Sequence, residues 1–195
     1  MNHSILVLAS ASLRRLDLLN QIGFPPDRVD PANVDEDPRG AELPAPHAER
    51  LAEEKARLVA ARHPGCFVLG ADTVVACGRR ILPKAEDERT ARRCLTLLSG
   101  RRHRVYGGLC VIAPDGRMVS RLVTTAVVFK RLDDAELAGY LASGEWHGKA
   151  GGYAVQGRAA VFVRQLNGSY SNVVGLPLHE TYAVLRGLGY GGTGE

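Results

Sequence analysis

Apolar residues in this chain recur at three different spacings, and the changes of spacing mark its elements. The unbroken apolar run between Ser4 and Ser10 reads as a short buried strand. Ser12 then caps a helix carrying Leu16, Leu19 and Ile22, and Gly23 stops it. Between residues 25 and 46 the periodicity fades. Six prolines and the acidic run Asp35-Glu36-Asp37 predict an extended ordered loop there, with at most one short strand around 28–34. A helix over His47 to about Arg62 follows, its stripe made by Ala48, Leu51, Ala52, Leu58 and Val59 and its end set by Pro64-Gly65.

Phe67 to Val75 is rich in Val, Leu and Phe and reads as a strand, with a turn opening at Gly78. A helix over Asp87 to Leu98 turns Ala91, Cys94, Leu95 and Leu98 inward before Gly100. Two strands, 103–113 and 118–130, are joined through Pro114-Asp115-Gly116, a hairpin signal. Asp133 with Glu136 three residues on predicts a capped helix to Ala142. Residues 159–166 read as a strand, Asn167-Gly168 as a tight turn, and Pro177 as the start of a last helix bearing Leu178, Val184, Leu185 and Leu188. The Gly-rich residues from 187 to the C-terminus read as a frayed tail. The whole is an α/β fold, one domain over 1–188 followed by the tail at 189–195.

Two side chains break the apolar pattern. Asp72 stands in the middle of the most apolar strand, where an unpaired charge costs several kcal/mol at least. Either backbone donors at a strand end satisfy it, or it is a metal ligand or general base at the mouth of a sheet. Lys55 falls on the apolar stripe of its helix, four residues from Leu51 and Val59. Its ammonium either snorkels to water or points into a pocket and holds a phosphate or carboxylate. Arg14 and Arg15, in the first turn of a helix, oppose its dipole unless an anion lies there. With Ser10, Ser12 and backbone amides they could clamp a phosphate. Lys84 lies in a loop ahead of a helix. The loop from Glu145 to Gly157 is too glycine-rich for a helix; its Tyr153 could stack a base and its Gln156 could hydrogen-bond one.

Composition narrows the chemistry. The chain is 195 residues, 45% hydrophobic and 24% charged, with a net charge of +4. Its cations are scattered without interleaved aromatics, which suits small phosphorylated ligands better than a nucleic acid polymer. No apolar run approaches a membrane span of about 20 residues. Ile5 to Ala9 is too short for a secretory signal and precedes its positive charges. Four cysteines without C-x-x-C spacing point to reduced core thiols and a cytoplasmic location. The sequence carries no Walker loop, Gly-x-Ser-x-Gly or His-Glu-x-x-His motif. Metal-assisted attack of water on a phosphate ester or anhydride is the reaction that the remaining parts permit, with simple anion binding open beside it.

Taken together, Ser10-Ala-Ser12-Leu-Arg14-Arg15, Leu51-Ala-Glu-Glu-Lys55-Ala, Gly70-Ala-Asp72-Thr73-Val-Val, Leu97-Leu-Ser99-Gly100, Lys149-Ala-Gly-Gly-Tyr-Ala-Val-Gln156-Gly and Gly168-Ser-Tyr-Ser-Asn-Val-Val-Gly-Leu-Pro-Leu178 resemble the Maf family of nucleoside triphosphate pyrophosphatases. The match runs in order from Ile5 to Leu188. The resemblance implies an elongated mixed β-sheet flanked by helices, with two lobes around a cleft, related to inosine triphosphate pyrophosphatases. It implies hydrolysis of a nucleotide to its monophosphate and pyrophosphate, a divalent cation (Mg²⁺ or Mn²⁺), a cytoplasmic location and, by analogy alone, a homodimer. Carried over by position, Asp72 becomes the catalytic carboxylate and Glu36 a second ligand of the cation, while Ser10, Arg14, Arg15, Lys55 and Lys84 grip the triphosphate. The loop after Lys149 resembles the branch acting on dTTP and UTP, in which Arg15, Thr73 and Gln156 influence specificity; the 7-methyl-GTP branch carries a different loop. A nucleotide-binding regulator of cell division is the alternative without turnover. Two residues depart from the family pattern: Leu13 and Ala85 stand where prolines are common, which puts the helix start and the reach of Lys84 in question.

Overall fold

A computed structural model describes residues 4–192. In chain order its elements are β1 (Leu6–Leu8), α1 (Leu13–Gln21), β2 (Arg28–Val29), α2 (Pro44–Ala60), β3 (Phe67–Cys77), β4 (Arg80–Leu82), β5 (Lys84–Ala85), α3 (Glu88–Leu98), β6 (Arg102–Ile112), β7 (Met118–Phe129), α4 (Asp134–Ala142), β8 (Lys149–Ala150), a 3₁₀ turn (Arg158–Phe162), β9 (Val163–Asn167), α5 (Tyr170–Val174) and α6 (Leu178–Gly187). Seven strands make one mixed sheet in the order β2-β1-β3-β6-β7-β9, with β4 beside β3, while β5 and β8 pair as a separate ribbon. Strand β1 runs parallel to β2 and β3, and the other pairings are antiparallel. This is the mixed sheet flanked by helices that the resemblance implied.

Alternation along the strands sorts the core. Leu6, Leu8, Phe67, Leu69, Ala71, Val75, Leu109 and Val111 point into the larger apolar cluster, with Leu18 and Leu19 of α1 and Val184 and Leu185 of α6. The intervening residues point the other way, toward α2: Val7 and Val68 pack with Val59, and Cys110 packs with Ala52 and Ala56. Helix α2 can lie this close because the sheet beneath it carries glycines. A Cβ at Gly70 would stand 2.4 Å from the Ala52 carbonyl oxygen, and one at Gly108 would stand 2.0 Å from that of Ala48. The opposite face at Gly107 is filled by α5, since a Cβ there would meet the Asn172 side chain at 1.8 Å.

The helices end where their caps allow. Asp133 accepts from the Glu136 amide while Glu136 accepts from the Asp133 amide, the reciprocal capping box expected for α4. Helix α2 begins at Pro44 instead of His47, because Pro44 and Pro46 lie in a first turn that needs no N–H of its own. The strand expected over 159–166 begins only at Val163. Ala159 and Phe162, three residues apart, both face the core, and a 3₁₀ turn satisfies that spacing. Beyond Gly168 the chain enters the short helix α5, capped by Ser169 and not foreseen from periodicity, since five residues are too few to show one. The frayed tail also needs correction. Tyr190 is 1% exposed and meets Phe24 and Phe67 edge to face, at 5.3 and 5.2 Å between ring centres. Residues 193–195 of that expected tail lie outside the described residues.

Candidate active site

The site forms where the sheet is left open. Strand β1 pairs with β3 over Phe67, Val68 and Leu69, and β4 takes up the same edge only from Val75. Among the described residues, 70–74 of β3 therefore have no strand beside them on that side, at the carboxyl end of a parallel pair, where open α/β sheets bind ligands. A cleft of about 590 Å³ occupies this gap. Because the edge is open, side chains from both faces of β3 reach it: Asp72 from the α2 face and Thr73 from the other.

On the Asp72 side, α2 delivers Lys55. The close seating over Gly70 and Gly108 puts the Lys55 ammonium 2.7 Å from Asp72 Oδ1, with both residues buried. The same ammonium donates to Glu36 Oε1 at 2.5 Å, and Lys84 pairs with the other Glu36 oxygen. Burial raises the Glu36 carboxyl, but the two lysines outweigh burial and hold it down at about 2. Lys55 thus neither snorkels nor merely packs. It bridges two carboxylates, and Asp72 is paired with a lysine, not with the backbone donors of one alternative. Among the described residues nothing donates to Asp72 Oδ2, so that oxygen is available to the cleft.

On the Thr73 side, Arg15 is clamped. Its Nε donates to the Gly175 carbonyl at 2.9 Å, and its two terminal nitrogens donate to Ser10 Oγ at 2.9 Å and Thr73 Oγ1 at 3.2 Å. Burial pulls the guanidinium below its ordinary value; Asp72 opposes this, Arg14 adds to it, and Glu36 opposes it. The Gly175 carbonyl was missed from sequence. Its only local signal is a glycine after a short helix, where a φ of 148° suits glycine. Ser12 sits at the N-cap of α1 without a side-chain cap bond, leaving first-turn amides at the cleft wall beside Arg14.

Seven of the expected site residues other than Gln156 line this one cleft together with Ser10: Arg14, Arg15, Glu36, Lys55, Asp72, Thr73 and Lys84. Lys149 joins them. The lining therefore holds five cationic side chains, Arg14, Arg15, Lys55, Lys84 and Lys149, against the carboxylates of Glu36 and Asp72, an excess of three positive charges. Gln156 is exposed and stands outside the lining, because the preceding Tyr153, Ala154 and Val155 are buried and the chain turns outward after them. Tyr153 also lines the cleft but is 5% exposed. Its ring packs against Phe129 and His103, and its hydroxyl bonds His103 Nε2 at 2.9 Å. At both departures from family prolines the neighbouring element forms. Leu13 still opens α1, and Ala85, fully buried in β5, leaves Lys84 in contact with Glu36.

A family model described as Maf-like protein matches residues 5–188. The chain belongs to this family. Among curated Maf relatives, a Paramagnetospirillum magneticum protein named dTTP/UTP pyrophosphatase is 70% identical over 187 residues, covering 96% of this chain and 98% of its own. One of the same name from Rhodospirillum rubrum is 64% identical, covering 95% of this chain and 88% of its own. A solved structure from Mycobacterium abscessus, titled nucleoside-triphosphatase / dITP/XTP pyrophosphatase, covers 65% of this chain and 75% of its own at TM-score 0.42 and 17% identity, an overlap too partial to add to the Maf assignment.

Proposed function

We propose that this Maf protein hydrolyses dTTP and UTP to the monophosphate and pyrophosphate. The observation that carries the reading is the excess of three positive charges gathered around a lysine-held carboxylate in one cleft, a lining suited to a polyphosphate. The names of the relatives at 70% and 64% identity support the choice of nucleotide. Gln156, outside the lining, does not.

In this reading water attacks the α-phosphorus, the bond from that phosphorus to the α–β bridging oxygen breaks, and pyrophosphate leaves. Asp72 Oδ2 takes the proton of the attacking water. Lys55 holds Oδ1 and fixes the carboxylate's direction, while Arg15, itself immobilised by Gly175, Ser10 and Thr73, meets phosphate charge without having to reorganise. No covalent intermediate is needed. A divalent cation, Mg²⁺ or Mn²⁺, belongs to the proposal. Glu36 and Asp72 are the hard oxygen donors that would hold it, with substrate phosphates for its other ligands; Lys55 and Lys84 occupy both Glu36 oxygens and Asp72 Oδ1, so the cation would displace an ammonium there. Bound there, the cation would neutralise phosphate charge.

The small nucleotide is the proposed partner, and a cytoplasmic location accords with four free cysteines. Among the described residues no helix is long and apolar enough to cross a membrane. A homodimer is the assembly that the resemblance implies.

The test is pyrophosphate release from dTTP, UTP, CTP, 7-methyl-GTP and ITP with Mg²⁺ or Mn²⁺, wild type beside Asp72→Asn. Release from dTTP and UTP that drops at least about 10²-fold in the variant is expected. A preference for 7-methyl-GTP or ITP would transfer the substrate to another branch, and tight nucleotide binding without turnover would favour the regulator.

A further inference from the structure

The five cations of the cleft are not equivalent. Lys55 and Lys84 are each on a carboxylate, and Arg15 is held by three oxygens. Arg14 and Lys149 are different. Both are half-buried in the cleft lining, and among the described residues neither has a carboxylate within salt-bridge distance. The ammonium of Lys149 donates to the His147 carbonyl at 3.1 Å. The acid whose charge reaches it, Glu145, is engaged elsewhere, accepting from the Arg158 amide at 2.7 Å with the Arg158 guanidinium 3.6 Å away.

The ribbon separates the two lysines it carries. Lys84 pairs with Ala150 and Lys149 with Ala85, so neighbouring register positions place them on opposite faces. Lys84 goes to Glu36, and Lys149 is left on the side where Arg14 is close enough to feel. Burial lowers the ammonium's proton affinity, and the Arg14 charge lowers it further. Burial alone lowers Arg14. Two partly desolvated like charges, with only Glu145 acting on Lys149 from beyond salt-bridge distance, repel each other, and a multivalent anion relieves both at once.

We propose that Lys149 is a substrate-binding residue which, with Arg14 across the cleft, grips the terminal phosphates of the triphosphate and the pyrophosphate that leaves. This rests on the polyphosphate reading of the cleft and adds a division of labour within it. The reacting phosphate belongs beside Asp72, where two carboxylates already lie. The terminal phosphates carry the most negative charge and are repelled from there, toward the cations that no carboxylate compensates. The first-turn amides of α1 beside Arg14 favour the same placement.

The experiment is calorimetric titration of the full chain with inorganic pyrophosphate and, separately, with dTMP, for wild type, Lys149→Gln and Lys149→Arg, with thermal melts of each. Lys149→Gln should weaken pyrophosphate binding about tenfold or more, equivalent to about 1.4 kcal/mol, and leave dTMP within about twofold. Its melting temperature should hold or rise, since an uncompensated charge has been removed, and Lys149→Arg should keep most of the pyrophosphate affinity. Unchanged pyrophosphate affinity in Lys149→Gln, equal weakening of dTMP, or a binding loss accompanied by a lower melting temperature would each overturn the assignment. So would a wild type that does not bind pyrophosphate. Absence of turnover on every nucleotide would instead count against the activity proposed above. A pyrophosphate affinity that still depends on Lys149 would then sustain the subsite.

Discussion

Lys55 is the residue on which fold and chemistry compete most directly. It is 6% exposed on the helix face that buries His47, Ala48, Leu51, Ala52, Ala56 and Val59, and among the described residues its compensation is the pair of carboxylates it bridges. Removing one partner of a buried pair leaves the other uncompensated, at about 3–5 kcal/mol. Lys55→Met should therefore lower the urea midpoint sharply, and Lys55→Met combined with Asp72→Asn should recover most of the loss. A double variant as unstable as the single would mean that packing of the lysine stem, not pairing, sets the cost. His103 gives a second test at this scale. Buried between Phe129 and Tyr153, its imidazole is pushed down to about 4. The folded value lies below the unfolded 6.5, so between about 6.5 and 4 the unfolded chain binds more protons. Stability then falls as pH drops through that window, at up to about 1.4 kcal/mol per pH unit. Thermal melts of wild type and His103→Gln from pH 7 to 4.5 should converge as the pH falls; parallel curves would remove His103 as the cause.

At the scale of elements, the proposed chemistry depends on how low α2 sits on the sheet. Gly108→Ala would drive a Cβ against the Ala48 carbonyl, a backbone atom with nowhere to go, and overpacking of this kind costs about 1–3 kcal/mol or more. Since the same helix aims Lys55 at Asp72, melting temperature and kcat should fall together. Gly139→Ala in α4 makes the contrast. Its added Cβ meets nothing within 4 Å, and the change should stabilise by about 0.5–1 kcal/mol without touching turnover. If Gly108→Ala lost stability but kept kcat, the seating of α2 would be structural only. The elements were largely legible in the chain because apolar period and caps are local: α3, α4, β6 and β7 lie within a residue of where their spacing puts them. Where the reading slipped, tertiary contacts chose. Ala159 and Phe162 were drawn inward together, and α5 was too short to announce itself.

For the whole molecule, the C-terminal segment closes the far end of the core. Tyr190 reaches back from beyond α6 to Phe24 and Phe67, so Tyr190→Ala should cost about 3–5 kcal/mol by urea denaturation, where a loose tail would cost nothing. The same long-range closure builds the site: Arg15 is held by a carbonyl 160 residues further along, and Lys55, Asp72 and Glu36 come from a helix, a strand and a loop. The sequence by itself determined which segments are strands and helices, that Asp72 and Lys55 are too polar for their surroundings, and, through ordered motifs, the family. Only the tertiary structure decided that those two misfits answer each other, that the β3 edge stays open between β1 and β4, that Gln156 is exposed, and that among the described residues no carboxylate lies within salt-bridge distance of Lys149 or Arg14. The reason is physical. Periodicity reports that a face is buried, whereas what it is buried against is set by register and helix seating across the sheet, which no local pattern encodes.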